Sequence, residues 1–190
     1  MKKNICVFCS SSDAVDEIYF KATEKLGKLI VENGFSLLYG GAKIGLMGAA
    51  AKSVKKHGGY ITGVIPQVLF QKGLYYKQCD ELIQTNDMAE RKLVMENKAH
   101  AFISLPGGFG TLEEILQVIT LKQLQYFDKP VVFLNINSFY DDLINVFEKL
   151  YKENFAKQDY RGLYFITDKP ESAIEYIIDY KPGQNIQKWF

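Results

Sequence analysis

The 190-residue chain contains few cysteines and few histidines, and this scarcity excludes several classes of protein. Its three cysteines, Cys6, Cys9 and Cys79, are too few for a disulfide-stabilised scaffold. Cys6 and Cys9 form a Cys-x-x-Cys pattern, but on a strand this odd spacing places the two thiols on opposite faces, so we expect buried small side chains. Because the two histidines, His57 and His100, each fall near the end of a predicted element, we expect no histidine-ligated metal site.

The chain also lacks an excess of charge of one sign and any long apolar run. Its formal net charge is +1, and acidic and basic residues alternate along it, so we expect no nucleic-acid partner. The first apolar run starts at Ile5 and is about five residues long, far shorter than a membrane span or a signal-peptide core. We therefore expect a cytoplasmic protein without a membrane partner.

Short apolar segments alternate with longer amphipathic ones along most of the chain. Helices or loops separate seven predicted strands, at 5–9, 35–39, 60–65, 80–84, 101–105, 131–134 and 163–166. This alternation predicts an α/β fold: a doubly wound, Rossmann-like parallel sheet with helices on both faces. We expect a single domain over residues 1–180 and a C-terminal tail over 181–190, whose Trp189 and Phe190 dock on a surface.

The segment Pro106–Thr111, Pro-Gly-Gly-Phe-Gly-Thr, lies between a predicted strand and a predicted helix. Its three glycines are expected to allow positive φ and a close approach of the backbone to a ligand. The unpaired N–H groups at the start of the helix then favour an anion, most often a phosphate. We expect Thr111 to be the N-cap of the helix and Glu114 to complete a capping box with it.

Two common phosphate motifs do not fit this turn. The dinucleotide fingerprint needs a small residue where this sequence has Glu113, and it follows the first strand rather than a late one. The Walker A motif needs a Gly-Lys-Ser/Thr that the turn does not contain. What remains is a glycine-rich anion cradle with carboxylates one turn inside the helix. Because a carboxylate repels phosphate, we expect Glu113 and Glu114 to face a neutral or cationic part of the ligand.

Two other turns are predicted at the same edge of the sheet. The glycine-rich segment 40–45 follows the second strand, and Ser10–Ser12 follows the first. The carboxyl ends of parallel strands share one edge, which is where α/β proteins bind ligands. The serine hydroxyls either contact a ligand or only fill the turn and, with Asp13, cap the next helix, and both interpretations stay open. Residues 67–79 are expected to form an irregular loop over the crevice.

At Pro106–Glu114 and Met88–Lys92 the chain resembles the LOG family, cytokinin riboside 5′-monophosphate phosphoribohydrolases once labelled lysine decarboxylases. The family signature Pro-Gly-Gly-x-Gly-Thr-x-x-Glu is complete from Pro106 to Glu114. The resemblance extends from Cys9 to Pro130 and so covers most of the chain.

Two positions depart from the family pattern. Ala89 replaces the histidine of a Met-His-x-Arg-Lys motif, which leaves the orientation of the ligand and the preferred base open. Ala42 replaces the last glycine of a triple-glycine turn, a change that the turn accepts if Ala42 does not need positive φ.

The resemblance implies hydrolysis of the N-glycosidic bond of an adenosine 5′-monophosphate, plain or N6-substituted, to a free base and ribose 5-phosphate, as in an AMP nucleosidase. It assigns catalytic roles to Glu114, acting at the ribose, and to Arg91, acting through charge and hydrogen bonding. It implies no cofactor and no metal, and a homodimer or higher homo-oligomer with sites near the subunit interface. The implied substrate-binding residues are Ser10, Gly41, Met88, Lys92, Gly107, Gly108, Phe109, Gly110, Thr111, Glu113 and Thr120.

Other functions stay open at this point. A pyridoxal phosphate decarboxylase needs a Schiff-base lysine, and no lysine here lies in a pattern that singles it out. A non-catalytic carrier of a nucleotide or another phosphorylated ligand is the stronger alternative, because a fold does not determine a function.

The candidates for contacts to a base are Phe70, Tyr75, Tyr76 and Met88, although packing under a loop explains the aromatic residues as well.

Overall fold

The computed structural model describes residues 3–183, so the predicted docking of Trp189 and Phe190 lies outside the described residues. The strands are β1 (Asn4–Phe8), β2 (Ser36–Tyr39), β3 (Ile61–Pro66), β4 (Glu81–Thr85), β5 (Ala101–Ser104), β6 (Val131–Leu134) and β7 (Phe165–Thr167). They form one seven-stranded sheet in the order β4-β3-β2-β1-β5-β6-β7, and every neighbouring pair is parallel. The predicted parallel sheet is confirmed.

Helices cover both faces of this sheet. They are α1 (Glu17–Glu32), α2 (Gly45–Lys56), α3 (Gln67–Gln71), α4 (Met88–Lys98), α5 (Phe109–Gln123), α6 (Asp141–Lys152) and α7 (Pro170–Asp179), with short 3₁₀ helices at Ile136–Ser138 and Gln158–Leu163. Side chains of β1 alternate between two hydrophobic clusters: Ile5 and Val7 pack with α1, α2 and α7, whereas Cys6 and Phe8 pack with α4, α5 and α6. The α/β fold with helices on both faces is therefore confirmed.

The chain changes direction across the sheet between β1 and β5. Strands β2 to β4 are added on one side of β1, and β5 then pairs with its other side. Just beyond these two strands, Leu105 N donates to Phe8 O at 2.9 Å and Ser10 N donates to Pro106 O at 3.2 Å. This is the topological switch point, where the connections leave to opposite faces and open a crevice.

Three predicted boundaries are wrong. Helix α1 begins after Asp16, whose carboxylate accepts from Ile18 N at 2.9 Å, and not after Ser12 and Asp13. Residues 67–79 are not wholly irregular, because they begin with α3. The amphipathic pattern that follows Glu114 predicts a helix to about Phe127, but helix α5 ends at Gln123, because Gln125 takes a positive φ of 63° that no helix continues through.

The two cysteines of the Cys-x-x-Cys pattern are buried on opposite faces of the sheet, as predicted. Burial raises the pKa of the Cys6 thiol and the pKa of the Cys9 thiol far above the ordinary value for cysteine. Both thiols are therefore unreactive. None of the helices in residues 3–183 combines the length and the hydrophobicity that crossing a bilayer requires.

Candidate active site at the switch point

A cavity of about 580 Å³ lies beyond the carboxyl ends of β1, β2 and β5. Its walls come from the turns after these three strands, from the end of β3 and the segment after it, and from the first turns of α4 and α5. The lining residues are Cys9, Ser10, Ser11, Ser12, Gly40, Ala42, Ile44, Met47, Ile65, Leu69, Leu74, Met88, Arg91, Gly108, Phe109, Gly110, Thr111 and Glu114.

The first turn of α5 faces this cavity and has no side-chain cap. The N-cap is Gly108, and Thr111 is already the third residue of the helix, so the predicted Thr111 N-cap is wrong. The predicted capping box with Glu114 is also absent, because the Glu114 side chain turns to a different partner. An uncapped first turn presents N–H groups and the positive end of the helix dipole to the cavity, which suits an anion.

The glycines of this turn differ in what they provide. None of Gly107, Gly108 and Gly110 has positive φ, contrary to our expectation. A Cβ on Gly107 would overlap the side chain of Thr111, whereas Cβ atoms built on Gly108 and Gly110 have no atom within 4 Å. Gly107 thus lets Thr111 pack inward, while the other two leave the backbone open to a ligand.

A buried ion pair between Arg91 and Glu114 forms the floor of the cavity. Arg91 Nη1 donates to Glu114 Oε1, and both side chains are only 5% exposed. Arg91 Nε also donates to the backbone oxygen of Val64 at 3.2 Å. A Cβ on Gly40 would overlap Arg91 Nη2, so the turn after β2 leaves the space that the guanidinium fills. These contacts hold the pair in one geometry.

The ionisation of Glu114 reflects two opposing effects. Burial raises the pKa of the Glu114 carboxyl above its ordinary value, and the adjacent Arg91 guanidinium offsets part of that rise. Such a carboxylate, held beside a fixed positive charge and poorly hydrated, can stabilise a cation or orient a water molecule.

Lys92 and Glu113 lie outside the cavity, next to the ion pair on the neighbouring faces of α4 and α5. Lys92 Nζ donates to Glu113 Oε1 and, at 2.6 Å, to Gln117 Oε1. Gln117 Nε2 in turn donates to Glu96 Oε1 at 2.6 Å. This network ties α4 to α5 behind the ion pair, and ligand binding by Lys92 and Glu113 stays a prediction.

The serine hydroxyls of the turn after β1 stabilise that turn, and they are also placed where they can contact a ligand. Ser10 Oγ accepts from Ser12 N at 3.0 Å and Ser12 Oγ accepts from Ala14 N at 3.2 Å, so these hydroxyls stabilise the turn. Ser10, Ser11 and Ser12 also line the cavity, as does the first turn of α5.

Gly41 and Thr120 do not line the cavity. Gly41 has φ +75° and its oxygen accepts from Tyr76 N at 2.9 Å, so it shapes the turn after β2. The neighbouring Ala42 does not have positive φ, which explains why alanine is accepted there. Thr120 is exposed and its hydroxyl donates to Leu116 O at 2.9 Å; it lies about 9 Å along α5 from Glu114. Its binding role stays a prediction.

The cavity also has an apolar wall that no sequence pattern predicted. It consists of Ile44, Met47, Ile65, Leu69 and Leu74, together with the predicted Met88. The aromatic candidates lie elsewhere: the ring of Phe70 stacks on that of Tyr75 at 4.4 Å, and the Tyr76 hydroxyl donates to Gln78 at 2.8 Å.

One family model and several named proteins match most of this chain. Residues 47–177 match the family model described as "Possible lysine decarboxylase". The chain is 38% identical over 180 residues to "Probable cytokinin riboside 5'-monophosphate phosphoribohydrolase LOGL2" of Oryza sativa subsp. japonica, an alignment that covers 95% of this chain and 74% of that protein. It is also 38% identical over 180 residues to "Cytokinin riboside 5'-monophosphate phosphoribohydrolase LOG5" of Arabidopsis thaliana, covering 95% and 79%.

Two solved structures share the fold. The molybdenum cofactor binding protein from Rippkaea orientalis superimposes with a TM-score of 0.73 at 25% identity, over 94% of this chain and 96% of that one. The molybdenum cofactor carrier protein from Chlamydomonas reinhardtii gives a TM-score of 0.73 at 22% identity, over 95% and 100%. At 22% identity, the likeness to the carrier concerns the fold alone.

The burial of the ion pair leads to a prediction about stability. We expect Arg91→Met to lower the free energy of unfolding by about 3 kcal/mol near neutral pH, because it leaves a buried carboxylate without its partner. The folded-state pKa of Glu114 then rises further above its unfolded value. Stability is therefore regained as the pH falls towards that unfolded value, about 4.3. Urea unfolding of the variant and of the wild-type protein, at neutral pH and again at a pH of about 4.3, measures the effect.

The control for this measurement is Arg161→Met, which removes one partner of the exposed Arg161–Glu148 pair. Because solvent screens this pair, we expect Arg161→Met to lower the free energy of unfolding much less than Arg91→Met does near neutral pH, and to do so equally at both pH values. Equal losses in the two variants, or a loss in Arg91→Met that does not depend on pH, would contradict the picture of a buried pair.

Proposed function

The chain belongs to the LOG family of phosphoribohydrolases, and from this we propose that it hydrolyses the N-glycosidic bond of an N6-substituted adenosine 5′-monophosphate, releasing the base and ribose 5-phosphate. The observation that carries the proposal is the position of the Arg91–Glu114 ion pair in the same cavity as the uncapped first turn of α5. The uncapped first turn of α5 suits the phosphate of a nucleotide, and the ion pair suits its sugar.

In the proposed complex the 5′-phosphate lies against the backbone N–H groups of Gly108–Thr111, and the hydroxyls of Ser10–Ser12 approach it from the turn after β1. The absence of a side-chain cap on α5 supports this placement, because the first-turn donors have no protein acceptor of that kind. The ribose then lies between the phosphate and the ion pair, with its C1′ towards Glu114.

The proposed reaction develops positive charge on the ribose. As the C1′–N9 bond breaks, its electron pair leaves with the base, and the sugar gains oxocarbenium character. The Glu114 carboxylate stabilises this charge and orients a water molecule, whose hydroxide adds to C1′ while its proton goes to the base. Arg91 fixes the position of the carboxylate by its hydrogen bond.

Neither alternative function has comparable support. The molybdenum cofactor carrier protein is 22% identical to this chain and the molybdenum cofactor binding protein 25%, whereas relatives named as phosphoribohydrolases reach 38% over 95% of it. A pyridoxal phosphate decarboxylase needs a lysine at its cofactor, and no residue lining the cavity among those that the structure describes is a lysine. The hydrolase is therefore the function that we favour.

Replacement of either member of the ion pair tests the assigned roles. We expect Glu114→Gln and Arg91→Ala each to lower kcat for base release by about 100-fold or more, because the transition state loses its carboxylate or the group that positions it. In the wild-type protein, kcat should fall at acid pH with an apparent pKa above that of an ordinary glutamate, and Glu114→Gln should lack this dependence. Chromatographic assay of free base measures both.

The matched control is Glu175→Gln on α7, an exposed carboxylate outside the cavity, which should leave kcat unchanged. Full base release by folded Glu114→Gln would show that the role assignment is wrong.

The apolar wall predicts a preference for a substituted base. We expect kcat/KM for N6-isopentenyl adenosine monophosphate to exceed that for plain adenosine monophosphate by about tenfold or more, because the substituent is buried against Leu69 and Leu74. Leu69→Asn should reduce the preference mainly by lowering kcat/KM for the prenylated nucleotide. Equal kcat/KM values for the two nucleotides in the wild-type protein would contradict this assignment.

We also propose that the protein forms a homodimer through the outer face of α5. Phe109, Glu113, Leu116 and Thr120 follow one helical stripe, and Phe109 is 93% exposed while Leu116 is 37% exposed. Phe109 also lines the cavity, so a second copy packed on this stripe lies next to the site. In such a dimer Thr120 lies at the interface, which is consistent with its distance from its own cavity.

A charge on this stripe tests the dimer. We expect Leu116→Asp to convert a dimer into a monomer in size-exclusion chromatography with light scattering, because it places a carboxylate in the apolar contact. Val146→Asp on α6, another exposed apolar position, is the matched control and should leave the dimer intact. A wild-type monomer, or dissociation of both variants, would contradict the proposal.

A further inference from the structure

A second cavity, of about 500 Å³, lies beside the C-terminal end of α5, whereas the candidate active site lies at its N-terminal end. The walls of this cavity come from the end of α5 and the segment after it, from the 3₁₀ helix Gln158–Leu163, and from the end of α7. Three aromatic side chains, Phe127, Tyr176 and Tyr180, line it together with polar groups. Asp128, Asp179 and Lys181 lie at its exposed mouth.

Lys122 lines this cavity and is 93% buried, since only 7% of it is exposed. Within residues 3–183, its Nζ is the one buried side-chain nitrogen or oxygen without a hydrogen-bond partner. The nearest compensation is the face of the Tyr180 ring, whose centroid is 4.7 Å from Nζ. An ammonium has three N–H donors, and none of them has an acceptor among residues 3–183.

The nearby carboxylate does not supply that acceptor. Asp128 receives the Tyr180 hydroxyl on one oxygen and Gly183 N, at 2.9 Å, on the other. Burial lowers the pKa of the Lys122 ammonium to about 8, and the charge of Asp128 offsets part of this effect. At neutral pH most of the lysine is therefore charged and buried, without a partner in the part of the chain that the structure describes.

An unpaired buried ammonium destabilises a fold, and an apolar side chain of similar length would avoid this cost. Residues that reduce stability in this way are typical of sites where a ligand supplies the missing contact. The cavity next to Lys122 has room for such a ligand. The acidic side chains at the mouth disfavour a ligand with several negative charges, and the aromatic wall favours a flat apolar one.

We propose that this cavity is a second binding site, which takes a small planar organic anion with a single carboxylate. The carboxylate accepts hydrogen bonds from Lys122 Nζ, and the Tyr180 ring that covers Nζ turns aside to admit it. The flat part of the ligand packs on Phe127 and Tyr176. The site is separate from the proposed catalytic cavity and does not depend on the reaction assigned to it.

Isothermal titration calorimetry of the full-length chain with benzoate tests the proposal. We expect saturable binding of benzoate, and binding of its neutral analogue benzamide that is weaker by about tenfold or more, because benzamide lacks the charge that Lys122 needs. Lys122→Met should weaken benzoate binding by about tenfold or more. Lys152→Met, the same change at an exposed position on α6, should leave it unchanged.

Three results would overturn the proposal. One is equal affinity of the wild-type protein for benzoate and benzamide. Another is benzoate binding that survives Lys122→Met but is displaced by inorganic phosphate, which would place the anion at the N-terminus of α5. The third is a large loss of stability in Lys122→Met on urea unfolding, which would show that the ammonium is already satisfied within the fold. A variant at least as stable as the wild type supports the proposal.

Discussion

The candidate active site depends on a buried ion pair whose two members come from different helices on one face of the sheet. An ion pair removed from water is stable only if its geometry is good and its remaining polar atoms are satisfied. Here α4 supplies Arg91, α5 supplies Glu114, and the backbone oxygen of Val64 takes a further N–H of the guanidinium. The missing Cβ of Gly40 leaves the space for it. The positions of one turn, one strand and two helices are thus linked to one contact.

The anion cradle and the ion pair have complementary requirements. The first turn of α5 needs a negative group near its amides, whereas the carboxylate of Glu114, one turn further along, would repel such a group. Arg91 resolves this conflict because it neutralises Glu114 and leaves the positive end of the helix free for a phosphate. The glycines at 108 and 110 keep that end uncovered. Neighbouring positions on one helix can therefore hold groups of opposite chemical character.

Much of the fold follows from the sequence because it rests on local patterns. Alternating apolar and amphipathic segments predicted the parallel sheet, and the glycine turns predicted the edge at which the cavity opens. The errors arose where a tertiary contact decides the outcome. Thr111 has the preferred chemistry of an N-cap, but it is the third residue of α5. The missing Cβ of Gly107 leaves the space that the Thr111 side chain fills at that position.

Other features of the site depend on contacts that no local pattern contains. The apolar wall, with Leu69 and Leu74, was missed because the aromatic residues beside it gave the stronger sequence signal, and two of these stack on each other instead. Lys122 gave no signal, since its burial results from packing between α5 and α7.

The order of the strands has a consequence for the synthesis of this protein. The turns of the cavity that follow β1 and β2 are made early, but β5 and α5, which complete it, come after four other strands have emerged. A nascent chain on the ribosome therefore carries an incomplete sheet with one side of β1 unpaired, and parallel pairing of distant segments is slow. During this interval the early turns cannot retain a nucleotide, so a ligand can assist only the last stage of folding.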